Sequence, residues 1–267
     1  MDRFDLYELC TQTPALDVAL LRAIHGGAPR VLGEDFAGTA ALSREWVRTV
    51  RGGRAIAVDR DPEPLARARD AVRLKGTARP RGVECVVADV RRVARKVDLL
   101  VALNFSWCML HERRDLVAYL KRARRRLTRG GCFVADVYGG DGAFMRGKLR
   151  EQRRGPDGER IVYEFEQREA DALTGRVVDA LHFEITPRRG RRVRLRDAFV
   201  YDWRLWSVPE LRDALHDAGF EKSEVHSRFE HARSGSGGGG GASVHVRPLA
   251  TSQELGRSWC VFVVGRR

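Results

Sequence analysis

The sequence predicts an α/β fold with a doubly wound, mostly parallel β-sheet, and three observations lead to this prediction. Short apolar runs alternate with helical runs over the first half of the chain, which is typical of parallel strands joined by right-handed crossovers. Four successive apolar runs end in an acid or an amide. Beyond Tyr138 the pattern changes to long alternating runs, which predict an antiparallel β insertion.

The elements follow in order along the chain. A helical pattern covers residues 5–25, with Pro14 marking a break or a new helix start. Strands are predicted at 30–32, 55–58, 84–87, 99–103 and 132–137, and helices at 40–50, 64–74 and 114–127. A glycine pair at 130–131 lies just beyond the last of these helices, as expected at a helix end.

The second half of the chain predicts strands that pair antiparallel. A hairpin is predicted around 173–175 and a third strand at 193–206, so residues 141–206 form the insertion. Ser207 and Glu210 predict a capping box, and two final strands follow at 223–229 and 259–264, separated by a flexible glycine-rich loop at 234–243. The predicted domains are 1–26, 27–140 with 207–267, and 141–206.

Composition limits the classes of protein. The 267 residues carry a formal net charge of +13, which favours a polyanionic partner. Only five of the 49 lysine and arginine residues are lysines, however. Such an excess of arginine also arises from codon bias, which weakens the argument from charge. No apolar run approaches the roughly 20 residues of a membrane span, and the N-terminus lacks the apolar core of a signal peptide. We therefore predict a cytoplasmic protein without a membrane partner. The five scattered cysteines predict free thiols and no metal site.

Polar residues follow four neighbouring strands, where ligands bind in open α/β sheets. They are Glu34, Asp35, Gly38, Asp59, Asp89 and Asn104. Asp59 can accept from both hydroxyls of a ribose, and Asp89 from an adenine amino group. Gly38 lets backbone N–H groups approach a ligand closely, and Glu34 can serve an ammonium group. This set of residues suits an adenosine that carries an amino acid. It does not suit the pyrophosphate of a dinucleotide, which the Glu34 and Asp35 carboxylates would repel.

The strings EDFAGT, AVD, VAD and LNFSW, followed by LTRGGCFVAD, resemble class I S-adenosylmethionine-dependent methyltransferases over roughly 5–140 and 200–267. The resemblance implies a seven-stranded Rossmann-like sheet whose last strand is antiparallel. It also implies S-adenosylmethionine as the cofactor, and an N-terminal helix with Tyr7 and Gln12 as a lid. Within that superfamily, the EDFxGT and NFSxC motifs are similar to a subgroup of bacterial and fungal proteins of unsettled substrate.

The cofactor loop departs from the usual family pattern of an acid followed by three glycines at every second position. Glu34 matches the acid and Gly38 the middle glycine, whereas Phe36 and Ala40 replace the outer two. Because the other strand ends are intact, we predict a variant loop that still works. The alternative is a degenerate loop.

The predicted site residues fall into three groups. Cofactor contacts are predicted for Tyr7, Glu34, Asp35, Phe36, Ala37, Gly38, Asp59, Arg60, Asp89, Val90, Asn104 and Phe105. Asn104 and His111 are the catalytic candidates, although methyl transfer from a sulfonium needs little beyond alignment. Trp107, Tyr138, Tyr163 and Trp203 are candidates for substrate contact. The alternatives are a helix cap for Asp35, a surface acid for Asp89, a solvated position for His111 and core packing for the aromatic residues.

The predicted reaction is methyl transfer to a nitrogen or oxygen of a small-molecule acceptor. RNA is the first alternative acceptor, because the basic run at 188–196 lies on the insertion. The second alternative is a protein that binds S-adenosylmethionine without catalysis. The sequence predicts no oligomeric state.

Overall fold

The computed structural model describes residues 1–74, 82–228, 244, 246–250 and 255–267. It divides the chain into two compact units. The larger unit comprises 14–107, 112–140 and 207–267, and the smaller comprises 1–13, 108–111 and 141–206. The predicted flexible loop at 234–243 lies outside the described residues.

The strands, in chain order, are β1 Val31–Asp35, β2 Arg54–Asp59, β3 Val83–Val87, β4 Val97–Ala102, β5 Leu127–Gly140, β6 Gly147–Arg154, β7 Arg160–Asp171, β8 Arg176–Thr186, β9 Val193–Arg204, β10 Lys222–Ser227 and β11 Ser258–Arg266. Seven of them form the sheet of the larger unit, in the order β10-β11-β5-β4-β1-β2-β3. β11 runs antiparallel to both of its neighbours, whereas β1 to β5 pair parallel. The doubly wound sheet with an antiparallel last strand is therefore confirmed.

The helices are α1 Arg3–Thr11, α2 Pro14–His25, α3 Ala41–Thr49, α4 Pro62–Leu74, α5 Arg113–Arg126 and α6 Val208–Asp217, with short 3-10 helices at Val90–Arg92 and Ser106–Met109. The helical pattern at 5–25 is two helices, because a new helix starts at Pro14. The capping box at Ser207 and Glu210 is present, with each side chain accepting from the other residue's backbone N–H. None of the described helices combines the length and apolar character needed to cross a bilayer.

The core of the larger unit explains why its central strands read as continuous apolar runs. Helices cover both faces of a parallel sheet, so strand side chains are buried on both sides. Leu32 of β1 pairs in register with Leu99 of β4, and both are fully buried. Trp46 of α3 is also buried and donates its indole N–H to the backbone oxygen of Arg30.

The smaller unit is a four-stranded antiparallel sheet in the order β6-β7-β8-β9, with α1 packed against it. Ile161 of β7 and Phe183 of β8 bury one face against Leu6 of α1. The predicted antiparallel insertion is confirmed, but β6 was not predicted. Its sequence, GKLREQRR, is charged and exposed along its whole length, so it carries no apolar alternation for a pattern to detect.

Candidate cofactor site

The loop between β1 and α3 takes a conformation normally reserved for glycine. Gly38 has φ +53°, and the replaced positions Phe36 and Ala40 have φ +56° and +55°. Left-handed backbone costs a residue with a Cβ about 1–2 kcal/mol. Phe36 and Ala40 thus adopt a backbone that glycine adopts most readily, and a working cofactor loop stays a prediction.

Hydrogen bonds and packing hold this path in place. The backbone N–H of Ala37 donates to the oxygen of Val58 at 2.9 Å, and that of Ala40 donates to Ala37 at 2.7 Å. The ring of Phe36 packs edge-on against Tyr119, with ring centroids 5.7 Å apart. The loop is thus fastened to β2 and to α5.

Asp59, at the end of β2, lies beside the loop. One carboxylate oxygen accepts the N–H of Gly38 at 2.8 Å, and the other accepts that of Asp61 at 2.9 Å. A carboxylate has about four lone-pair positions, so each oxygen can still accept from a ribose hydroxyl. Asp59 is half-buried, and its neighbour Arg60 is exposed.

Glu34 is buried and faces α3. Its Oε2 accepts the backbone N–H of Ser43 at 2.8 Å and the Ser43 hydroxyl at 2.5 Å. Ala40 at the N-cap has no side chain to cap the helix, so Glu34 supplies that function from the sheet. Contact between Glu34 and the ammonium group stays a prediction.

Asp35 faces the opposite side of the sheet, because neighbouring strand residues alternate. Its fully buried carboxylate accepts from Arg126 Nη1 at 2.7 and 2.8 Å and from the Tyr119 hydroxyl at 3.0 Å. Burial raises the pKa of Asp35, and the Arg126 guanidinium opposes that rise. The structure thus gives this side chain a buried ion pair in place of the predicted cofactor contact, and it is not the helix cap of the alternative either.

Asp89 follows β3 and caps the short helix Val90–Arg92. It accepts the backbone N–H of Arg91 at 2.8 Å and forms an ion pair with its guanidinium at 2.7 Å. Hydrogen bonding to the Arg91 side chain lowers the pKa of Asp89, so it stays an ionised acceptor. Val90 is buried beside it. Contacts of these two residues with an adenine stay predictions.

The turn after β4 has two consecutive left-handed residues, Asn104 (φ +55°) and Phe105 (φ +58°). Asn104 is half-buried, and its side-chain amide bonds to no residue that the structure describes. The Phe105 ring packs on Tyr138, with centroids 4.7 Å apart. Trp107 is 1% exposed and donates to a backbone oxygen, so it belongs to the core and not to a substrate surface.

These groups fit the S-adenosylmethionine that the sequence implies. Thr39 is buried, and within the described chain its hydroxyl has no hydrogen-bond partner. A Cβ placed on Gly38 would meet nothing within 4 Å, so the loop borders open space. An orphaned hydroxyl, an open edge and the carboxylate of Asp59 form a donor and acceptor set suited to a nucleoside.

Three aromatic candidates, Tyr7, Tyr163 and Trp203, lie in the smaller unit, as does Tyr201. The Tyr7 ring contacts Phe199 at 5.1 Å, and its hydroxyl is hydrogen-bonded to Tyr201. Tyr201 stacks on Trp203 at 4.5 Å, and Trp203 is 5% exposed. Burial raises the pKa of Tyr163 in the same cluster. Among these, only Tyr7, Tyr163 and Tyr201 are partly exposed, so the core-packing alternative fits Trp203.

His111 also belongs to the smaller unit. Its Nε2 lies 2.8 Å from the backbone oxygen of Asp202, which requires a proton on Nε2. Arg204 donates to the backbone oxygen of His111 at 3.0 Å. Nδ1 is thus the nitrogen left to accept a proton, and the role of general base stays a prediction.

Sequence reasoning missed a buried network beneath Asn104. Asp136, at 0% exposure in β5, accepts the N–H groups of Asn104 and Phe105 at 2.8 and 2.9 Å. Arg228 bridges Asp136 at 2.8 Å and Asp17 at 3.3 Å. Burial raises the pKa of Asp136 to about 6, with Arg228 opposing the rise. The sequence does contain a signal for Asp136, because the predicted strand at 132–137 carries an acid near its carboxyl end, much as an acid or an amide ends each of the four strands before it.

Comparison with known proteins agrees with this geometry. Residues 36–135 match a family model described as a methyltransferase domain. No curated protein matches the chain.

The fold recurs among solved structures. An S-adenosylmethionine-dependent methyltransferase from Clostridium acetobutylicum is 14% identical, with TM-score 0.65 and coverage of 98% of this chain and 96% of that one. CalS10, an amino pentose methyltransferase from Micromonospora echinaspora, is 17% identical, with TM-score 0.67 and coverage of 99% and 96%. KedS8, a sugar N-methyltransferase from Streptoalloteichus, is 19% identical, with TM-score 0.64 and coverage of 99% and 93%.

The domain match supports a methyltransferase enzyme, and solved structures described as S-adenosylmethionine-dependent or S-adenosylmethionine-bound share its fold. The acceptor is a separate question.

Proposed function

We propose that the protein transfers a methyl group from S-adenosylmethionine to a nitrogen or oxygen of a small-molecule acceptor. One observation carries the cofactor half of this proposal: Phe36 and Ala40 keep left-handed, glycine-like backbone around Gly38, with the Asp59 carboxylate bonded to the loop. A degenerate loop would have no reason to retain two strained residues.

The residues take distinct parts in binding. Asp59 accepts from the ribose hydroxyls, the open edge at Gly38 receives the amino-acid portion, and the ionised Asp89 accepts from the adenine amino group. Asn104 offers its amide next to the reacting centre. The side chain of Glu34 shapes the loop through Ser43 and places negative charge near the ammonium group.

The chemistry asks little of the protein beyond alignment. The cofactor supplies a methyl group on a positively charged sulfur, which is already a good leaving group. Residues around Asn104 hold the acceptor atom in line and exclude water, and such positioning supplies most of the acceleration. An amine acceptor can release its proton to solvent, so a missing base does not count against catalysis.

The acceptor class has separate support. One structural neighbour is described as a sugar N-methyltransferase and another as an amino pentose methyltransferase, which favours a small polar amine here. We infer that the smaller unit contributes acceptor-binding residues, with Tyr163 and Tyr201 as candidates, because these partly exposed phenols combine apolar faces with hydroxyl groups.

RNA is the second candidate acceptor, favoured by the charge of one sheet end. Six exposed arginines gather where β6 and β8 end and β7 and β9 begin. The six are Arg154, Arg160, Arg188, Arg189, Arg191 and Arg196. None of them forms an ion pair with a residue that the structure describes. Phosphate contacts by such a group would weaken steeply with salt.

The test follows tritiated methyl transfer from labelled S-adenosylmethionine to amino sugars, simple amines, phenols and total RNA, at low and high salt. We expect label on an amine at both salt concentrations, and its loss in Asn104→Ala. Label on RNA that vanishes at high salt would favour the second candidate. Cofactor binding without any transfer would favour the non-catalytic alternative.

A further inference from the structure

The turn after β4 is held in an unfavourable backbone conformation. Asn104 and Phe105 both have positive φ, and neither is glycine. Two consecutive residues of this kind persist only where the surrounding structure over-determines them. The group that determines this turn must therefore lie next to its backbone.

That group is the carboxylate of Asp136. One oxygen accepts the N–H of Phe105 at 2.9 Å, and the other accepts the N–H of Asn104 at 2.8 Å. The backbone oxygen of the same residue accepts the indole N–H of Trp107 at 2.9 Å. One residue of β5 thus bonds three of the five residues that follow the end of β4.

The carboxylate is itself fixed by charge. Arg228 donates to it at 2.8 Å and to Asp17 of α2 at 3.3 Å. Cys260 also faces this pair from β11. Asp136 is fully buried and Arg228 nearly so, so neither can move to solvent without a large loss of interaction.

We propose that Asp136 is a positioning residue for methyl transfer, which holds the Asn104–Phe105 turn in the left-handed form that presents the Asn104 side chain at the ligand edge of the sheet. This inference rests on the proposed function, because it takes Asn104 to face the cofactor. Asp136 itself acts only through the turn.

The variant Asp136→Asn tests this directly. An asparagine keeps one acceptor oxygen and gains an NH₂ group, so at least one of the two turn N–H groups must face a donor. The turn then populates its competent form only part of the time, and the apparent affinity falls by that fraction. We expect S-adenosylhomocysteine to bind about tenfold more weakly, by calorimetry, and the amides of Asn104 and Phe105 to exchange with solvent faster.

The matched control is Asp98→Asn. The Asp98 carboxylate accepts two successive backbone N–H groups, of Arg30 and Val31, at 3.0 and 2.9 Å. It lies near the start of β4, at the end of the strand opposite to the Asn104–Phe105 turn. The other Asp98 oxygen accepts the Thr128 hydroxyl at 2.8 Å, so this control also loses a carboxylate charge and places an NH₂ group among donors, but away from the turn. Any fall in its melting temperature therefore reports a purely structural effect.

The proposal predicts that Asp98→Asn keeps its ligand affinity and its exchange rates at Asn104 and Phe105. It is overturned if Asp136→Asn keeps both, or if the two variants lose affinity equally. The exchange measurement needs no ligand. Failure of the wild-type protein to bind S-adenosylhomocysteine would contradict the proposed function, while the exchange rates would still decide whether Asp136 holds the turn.

Discussion

Replacing Asp59 by alanine is the perturbation that bears most directly on the cofactor site. The carboxylate already accepts two backbone N–H groups, of Gly38 and Asp61, and has lone pairs left for two ribose hydroxyls. The variant therefore loses contacts to the ligand and a support of the loop at the same time.

The size of the effect follows from these bonds. A hydrogen bond to a charged group contributes about 1.5–3 kcal/mol, so two bonds to ribose hydroxyls give about 3–6 kcal/mol. Because Asp59 is only half-buried, water competes for it, and we expect the lower end of that range. A loss of about 3 kcal/mol corresponds to an affinity for S-adenosylhomocysteine roughly a hundredfold weaker.

Calorimetric titration of the variant measures the affinity, and Asp61→Ala provides the control. Asp61 caps α4 by accepting the N–H of Glu63 at 2.9 Å, so its removal costs about 1 kcal/mol of stability without touching the ligand. The control should bind S-adenosylhomocysteine like the wild type. Unchanged affinity in Asp59→Ala would refute the assignment of Asp59 and with it the geometry of the site.

Three further predictions concern the buried acids. Arg126→Met leaves the Asp35 carboxylate buried without its cation, so the free energy of unfolding in urea should fall by about 3–5 kcal/mol; a loss below about 1 kcal/mol would contradict this. Glu34→Gln should weaken calorimetric binding of S-adenosylhomocysteine about tenfold and leave adenosine binding unchanged, since adenosine has no ammonium group; equal losses would point to damage of the loop. Burial raises the pKa of Asp136 to about 6, above the ordinary value of about 4. The contribution of the protonated Asp136 carboxyl to the free energy of unfolding is complete below about pH 4. It falls as the pH rises through about 6, by up to about 3 kcal/mol. The difference in unfolding free energy between the wild type and Asp136→Asn should follow that slope, and a pH-independent difference would be inconsistent with it.

The parallel sheet could be predicted from the sequence because each central strand is buried on both faces and ends in a polar residue. β1 and β4 show this most clearly, since Leu32 and Leu99 lie inside and polar side chains follow each strand. β6 could not be predicted, because an exposed edge strand of charged residues has no burial pattern.

The site could be predicted only in part, because the sequence does not directly give the face to which a strand side chain points or the pairing of residues far apart in the chain. Strand alternation sends Asp35 to the far side of the sheet from Glu34, which spacing alone predicts once the strand boundary is known. The link between Asp136 and Arg228 spans 92 residues of sequence, and no local pattern reports such a pairing. The positive φ of Phe36 and Ala40 is likewise set by the packed surroundings and contradicts local preference.

The most direct test of the account is calorimetric titration of the purified wild-type protein with S-adenosylmethionine and with S-adenosylhomocysteine. We predict one site for each, with micromolar affinity, because the strained loop at Phe36 and Ala40 retains the shape that a glycine-rich loop would give. Absence of binding by both ligands would mean that these residues close the loop to the cofactor, and would contradict the central claim.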